Sequence, residues 1–310
     1  MVLASVAALG LAVLAGYLVR DRGRAGLSSS SEPSGLSSSG VSSSGLSSPS
    51  SAGTGGTTAP TPSAGPSTTA SCEPGASGPL RVDSQFTATD GKGTAVHYSV
   101  SLPDDYYTAC LDYPVLYALH GRDQNNVGFL DDALVLRTAM AAGVLDQAII
   151  VTPDSFRTGR WENRDTGPAE DNFITYLIPY IEQNYRVRPG PSHRLLTGFS
   201  MGGHGAFRFG LKYPQLFAAV WSVDGAMASP QDYLPFVEGR TTADFHILSV
   251  GGQLNGDRVR AVVDALKQHG VEIPYTYQDR EHEFRAFVEE DEKAGWVAMK
   301  FLQSNLGRPI

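Results

Sequence analysis

Residues 193–223 read HRLLTGFSMGGHGAFRFGLKYPQLFAAVWSV. An apolar strand, His193–Thr197, runs into a glycine-rich turn, and Met201–Tyr213 continues with the spacing of an apolar helix. Between them lies Gly198-Phe199-Ser200-Met201-Gly202, a G-x-S-x-G motif. Glycine two residues to either side of the serine leaves room for a sharp strand-to-helix turn, which exposes the hydroxyl at the helix N-terminus. The helix dipole there favours a developing negative charge. Ser200 is therefore the candidate nucleophile. The N–H of Met201, immediately after it, is a candidate oxyanion donor.

Further strands and helices alternate around this stretch. Val96–Ser101 alternates in polarity, whereas Tyr113–Leu119, Gln147–Thr152, Phe217–Val223 and Phe245–Val250 are short and continuously apolar. Such runs suit strands buried on both faces. Glu272–Tyr277 reads as the last strand. Asn172–Tyr185, Asp257–His269 and Trp296–Leu302 carry helical spacing. Strands alternating with helices predict an α/β fold, a mostly parallel central sheet with helices on both faces. Catalytic groups then gather at the C-terminal strand ends.

A serine nucleophile needs a base and an acid, and in this arrangement the chain order is serine, acid, histidine. Of seven histidines, His282 is the one that follows the final strand. The acid is expected after Phe245–Val250, in Gly251-Gly252-Gln253-Leu254-Asn255-Gly256-Asp257, where Asp257 is the one carboxylate. Asp257 is taken as the acid, although it also suits the N-cap of the next helix. Asp224, at the end of Phe217–Val223, is the rival. Asn255 could also orient the imidazole, as an asparagine does in cysteine proteases.

The wider string TGFSMGGHGAFRFGLKYPQLFAAV at 197–220 resembles the Putative esterase (esterase D-like) family. That group includes feruloyl and acetyl xylan esterases, S-formylglutathione hydrolases, siderophore esterases and mycolyltransferases. PVLYALHG at 114–121, EDNFITYLIPYIEQNYRV at 170–187 and an H-x-F at 282–284 extend the resemblance over most of residues 95–305. It implies the α/β-hydrolase fold. It also implies that Arg122, after His120-Gly121, supplies the second oxyanion N–H, and that Trp161 borders the cleft and binds substrate. A gapless match would place Gln253 at the acid position. Arg280 and Glu281 depart from the glycines that the family carries before the histidine.

The remainder of the 310 residues divides by composition. Residues 2–19 are nearly all Ala, Leu, Val and Gly, long enough for a membrane anchor or the apolar part of a signal peptide; residues 1–25 are assigned to that role. Arg20, Arg22 and Arg24 follow it, a placement that positive-inside reasoning associates with a cytoplasmic C-terminal part. Residues 26–78 are dominated by Ser, Gly, Thr and Pro, with too few apolar side chains to offset chain entropy. They are read as a disordered linker before a catalytic domain at 79–310. Together with Cys72 and Cys110, which could pair outside the cytoplasm, the linker favours an extracytoplasmic domain, anchored or secreted.

A net charge of −8 without long runs disfavours nucleic acid as a partner. No motif implies a metal or organic cofactor. The expected function is a serine esterase acting on a small-molecule or glycan ester through an acyl-serine intermediate. A mycolyltransferase-like acyltransferase of the cell envelope and a non-catalytic surface binding protein are the alternatives.

Overall fold

The computed structural model describes residues 76–155 and 160–308. The anchor or signal reading of residues 2–19, nearly all of the linker, and Cys72 lie outside the described residues. Among the described residues, no helix is long and apolar enough to cross a membrane.

Eight strands form one sheet: β1 (Arg81–Thr87), β2 (Ala95–Ser101), β3 (Val115–Leu119), β4 (Ile149–Pro153), β5 (Arg194–Phe199), β6 (Ala219–Val223), β7 (Ile247–Gly251) and β8 (Tyr275–Tyr277). Their order across the sheet is β1-β2-β4-β3-β5-β6-β7-β8. β1 and β2 are antiparallel, and every pairing from β4 to β8 is parallel. The chain steps from β3 out to β4 and then returns to the other side of β3 to form β5. This reversal makes a topological switch point, and the loops leaving β3 and β5 diverge there to open a crevice.

Alternation along the buried strands feeds two cores. On β3, Val115, Tyr117 and Leu119 face one side, with Phe173 and Phe207. Leu116 and Ala118 face the other, with Phe129 and Phe287. The first side is covered by α2 (Ile178–Asn184), α3 (Met201–Lys212) and α4 (Gly256–Gln268). The second is covered by α1 (Asn126–Ala133), α5 (Phe284–Lys293) and α6 (Val297–Asn305). Each large apolar side chain buried this way contributes roughly 1.5–3 kcal/mol of transfer free energy. Helices cover both faces of the sheet, as the alternation predicted, and the fold is the α/β-hydrolase that the resemblance implied.

Several boundaries differ from that prediction. The helix expected from Asn172 begins as a π-helix, Asn172–Leu177, before settling into α2. The last strand is only Tyr275–Tyr277. β1, α1 and α5 were not foreseen. β1 is an edge strand whose residues are alternately exposed and half-buried, so its pattern is weak. α5 begins two residues past His282 and carries Phe284 and Phe287 into the core.

Candidate active site

The turn at Ser200 is tight because two backbones nearly touch. A Cβ on Gly198 would lie 2.2 Å from Gly202 O, and a Cβ on Gly202 would lie 1.9 Å from Leu119 O. Neither space admits a side chain. Ser200 takes φ 56°, ψ −113°, a region costing a non-glycine residue about 1–3 kcal/mol. Hydrogen bonds offset this cost: Ser200 N–H donates to Val223 O at 3.0 Å, and Ala226 and His204 N–H both donate to Ser200 O.

His282 Nε2 lies 2.9 Å from Ser200 Oγ, and His282 Nδ1 lies 2.5 Å from Asp224 Oδ2. An ionised carboxylate only accepts, so Nδ1 carries the proton and Nε2 is left to accept from the serine O–H. The Phe199 ring, 4.4 Å from the imidazole centroid, supports the imidazole from the side.

The acid assignment is therefore corrected. Asp257 is exposed in the first turn of α4, whereas Asp224 is fully buried against the imidazole. The loop expected to carry the acid instead cradles Asp224. Gly252 N–H donates to Asp224 Oδ1 at 2.8 Å and Asn255 N–H at 3.2 Å, while Asn255 Nδ2 donates to Asp224 O at 2.9 Å. Gly252 has no room for a side chain, because its Cβ would fall 2.5 Å from Phe287 Cζ. Gln253 donates to Asp279.

The loop after β3 lies against the nucleophile. A Cβ on Gly121 would stand 3.5 Å from Ser200 Cβ. Gly121 N–H donates to Gln124 Oε1 at 3.0 Å, and Gln124 Nε2 donates to Asp132 Oδ2 at 2.9 Å. Buried His120 pins the same loop: Ser155 N–H donates to Nε2 at 3.1 Å, so Nδ1 carries the proton and donates to Gly121 O at 2.7 Å. Gly121, Arg122 and Met201 line one cavity of about 450 Å3 with Ser200 and His282.

Trp161 is also corrected. Its side chain is fully buried rather than available for substrate. Its Nε1–H donates to His120 O at 3.2 Å, and α3 approaches it so closely that a Cβ on Gly205 would fall 2.6 Å from Trp161 Cγ. The tryptophan wedges the loop after β3 against α3.

A network behind the serine was not anticipated. His204, one turn into α3, meets Glu162 Oε1 through Nε2 at 3.2 Å and Tyr233 Oη through Nδ1 at 2.6 Å. Burial holds His204 below its ordinary value, and hence neutral, so its one N–H serves Glu162 and Tyr233 O–H donates to Nδ1. The bond from His204 and the guanidinium of Arg164 hold the Glu162 carboxyl down at about 2 against the effect of burial. No spacing rule links residues 162, 204 and 233. Arg280, one of the departures before the histidine, forms an ion pair with Glu290 on α5. Its carbonyl accepts from Gln253 N–H at 3.2 Å. Among the described residues, no group of three or more His, Cys, Asp or Glu could hold a metal ion.

The family model described as Putative esterase matches residues 91–267, more than half of the chain. The chain belongs to this family. The matched stretch contains Ser200 and Asp224 and ends before His282. Among curated proteins, the chain is similar to Esterase Rv1288 of Mycobacterium tuberculosis, 36% identical over 140 residues. That match takes in 44% of this chain and 30% of the relative, so the chain spans under a third of the relative's length. A solved ferulic acid esterase superposes with a TM-score of 0.62 at 23% identity, covering 73% of this chain and 98% of that one. A ferulic acid esterase from Anaeromyces mucronatus gives 0.55 at 20% identity, covering 72% and 92%. Both show the shared fold.

Proposed function

We propose that the described domain is a serine esterase that cleaves a carboxylic ester through an acyl-serine intermediate. One observation carries the reading: Ser200 Oγ, His282 and Asp224 stand in hydrogen-bonded series at 2.9 and 2.5 Å. His282 Nε2 takes the serine proton as Oγ attacks the carbonyl carbon, then returns it to the departing alcohol. Asp224 fixes the imidazole tautomer and balances the imidazolium charge. The N–H groups of Met201 and Arg122 receive the developing oxyanion, each worth roughly 3 kcal/mol. Water, activated by the same His282, releases the acid. Small-molecule or glycan esters fit this reading, because the similar solved structures include ferulic acid esterases. The apolar residues 2–19 and the Ser/Gly-rich linker support an extracytoplasmic position.

The test is turnover of p-nitrophenyl acetate and labelling by a fluorophosphonate, with Ser200→Ala beside the parent. Loss of both in the variant is expected. A parent protein that neither turns over nor labels would overturn the reading in favour of a binding protein. Products formed with and without an added sugar acceptor separate hydrolysis from acyl transfer.

A further inference from the structure

The cleft around Ser200 and His282 is lined by three arginines, Arg122, Arg160 and Arg258, and by no aspartate or glutamate among the described residues. They arrive from separate segments: the loop after β3, the residue before Trp161, and the first turn of α4. The rest of the lining joins an apolar wall of Phe199, Met201, Ala226 and Leu254 to the polar Gln124, Ser200, Asn255 and His282. Elsewhere several arginines are neutralised: Arg164 pairs with Glu162, Arg194 with Glu182, Arg208 with Glu170 and Arg280 with Glu290, whereas Arg137 and Arg240 bond backbone carbonyls. Among the described residues, none of the three cleft arginines has a carboxylate within ion-pair distance. Arg160 has one long contact, Nη2 to Ala226 O at 3.5 Å.

This clustering runs against the composition, in which 32 acidic residues outnumber 24 basic ones. Like charges gathered in one concave site repel one another and raise the local potential. A carboxylate relieves that repulsion and meets the planar donor fork of arginine, which suits it better than lysine.

We infer that the cleft selects esters carrying a carboxylate near the scissile bond. The inference rests on the serine-esterase reading and names the substrate class of that site. Arg160 and Arg258 hold the carboxylate while the apolar wall takes the carbon chain between it and the ester. Arg122 adds its side-chain charge beside the backbone N–H assigned to the oxyanion.

The test compares matched esters. On the acyl side, the mono-p-nitrophenyl ester of glutaric acid is set against p-nitrophenyl pentanoate. On the alcohol side, the acetate ester of 4-hydroxybenzoate is set against that of 4-hydroxybenzamide. In at least one pair the anionic member is expected to have a kcat/KM at least tenfold higher, declining as salt is added. Arg160→Gln combined with Arg258→Gln should abolish the preference while pentanoate turnover is retained. Equal turnover within both pairs, or a preference that survives in the double variant, would overturn the inference and leave the esterase reading standing. A parent that hydrolyses no ester would defeat the esterase reading instead. Calorimetric titration with glutarate then decides the cleft: heat lost in the double variant supports the inference, and no heat in the parent overturns it.

Discussion

Ser200 and Asp224 occupy equivalent positions just past the ends of neighbouring strands. Phe199 pairs with Val223 across β5 and β6, and each functional residue is the next one along. Both have positive φ, 56° and 41°, so both chains turn sharply as they leave the sheet. This register brings hydroxyl and carboxylate to the same crevice, where His282 bridges them. β7 runs alongside, with Val223 paired to Val250, and its loop supplies the N–H groups that solvate the buried carboxylate.

Asp224→Asn should keep the fold but allow the wrong imidazole tautomer, lowering kcat by roughly 10³–10⁴-fold. Asp257→Asn, at an exposed helix position, should leave kcat within about twofold. Initial rates with p-nitrophenyl acetate distinguish the two. The reverse ranking would return the acid role to Asp257.

Gly202→Ala places a methyl group where Leu119 O stands, 1.9 Å from the ideal Cβ. Backbone on both sides must move, so the protein should express poorly or melt well below the parent, by on the order of 3 kcal/mol or more. Thermal unfolding followed by circular dichroism measures it. A normal melting midpoint would show that the elbow has slack.

Trp161→Ala should cost about 3–5 kcal/mol of stability by opening a cavity between α3 and the loop after β3. Trp161→Phe should cost less, since it loses the bond to His120 O but keeps most of the packing. Urea unfolding provides the measurement. A substrate-stacking role would instead raise KM with stability unchanged.

The carboxyl of Glu162 is held at about 2 in the folded protein against an ordinary value of 4.5. A depressed acid contributes stability above its unfolded value and loses it as pH falls through the folded one. Glu162 thus contributes to acid unfolding between about pH 4.5 and 2, on the order of 2 kcal/mol in all. Burial raises the Asp291 carboxyl, which acts in the opposite direction. Glu162→Gln should flatten the acid limb of stability, compared by urea unfolding at pH 5 and pH 3. An unchanged difference between the two pH values would remove Glu162 from the acid response.

Much of the site was legible because its parts are local. The serine elbow lies in ten consecutive residues, strand followed by turn followed by helix, and each part has its own pattern. His282 was legible from chain order alone. Asp224 ranks second in the sequence, because chain order places the acid in the loop after Phe245–Val250, where Asp257 is the one carboxylate. Trp161 looked like a loop aromatic near a cleft, and its burial depends on α3 carrying Gly205 opposite it. The His204–Glu162–Tyr233 network joins three segments with no common period.

Strand and helix periodicities encode which faces must be buried, and burial free energy dominates folding, so the α/β architecture and the serine turn could be read directly from the chain. The choice of acid, the burial of Trp161 and the gathering of three arginines around one cleft depend on register between strands that are distant in sequence. One residue of slip would turn every side chain of a strand to the opposite face. That register is set by how the two cores pack as a whole, and no local pattern contains it.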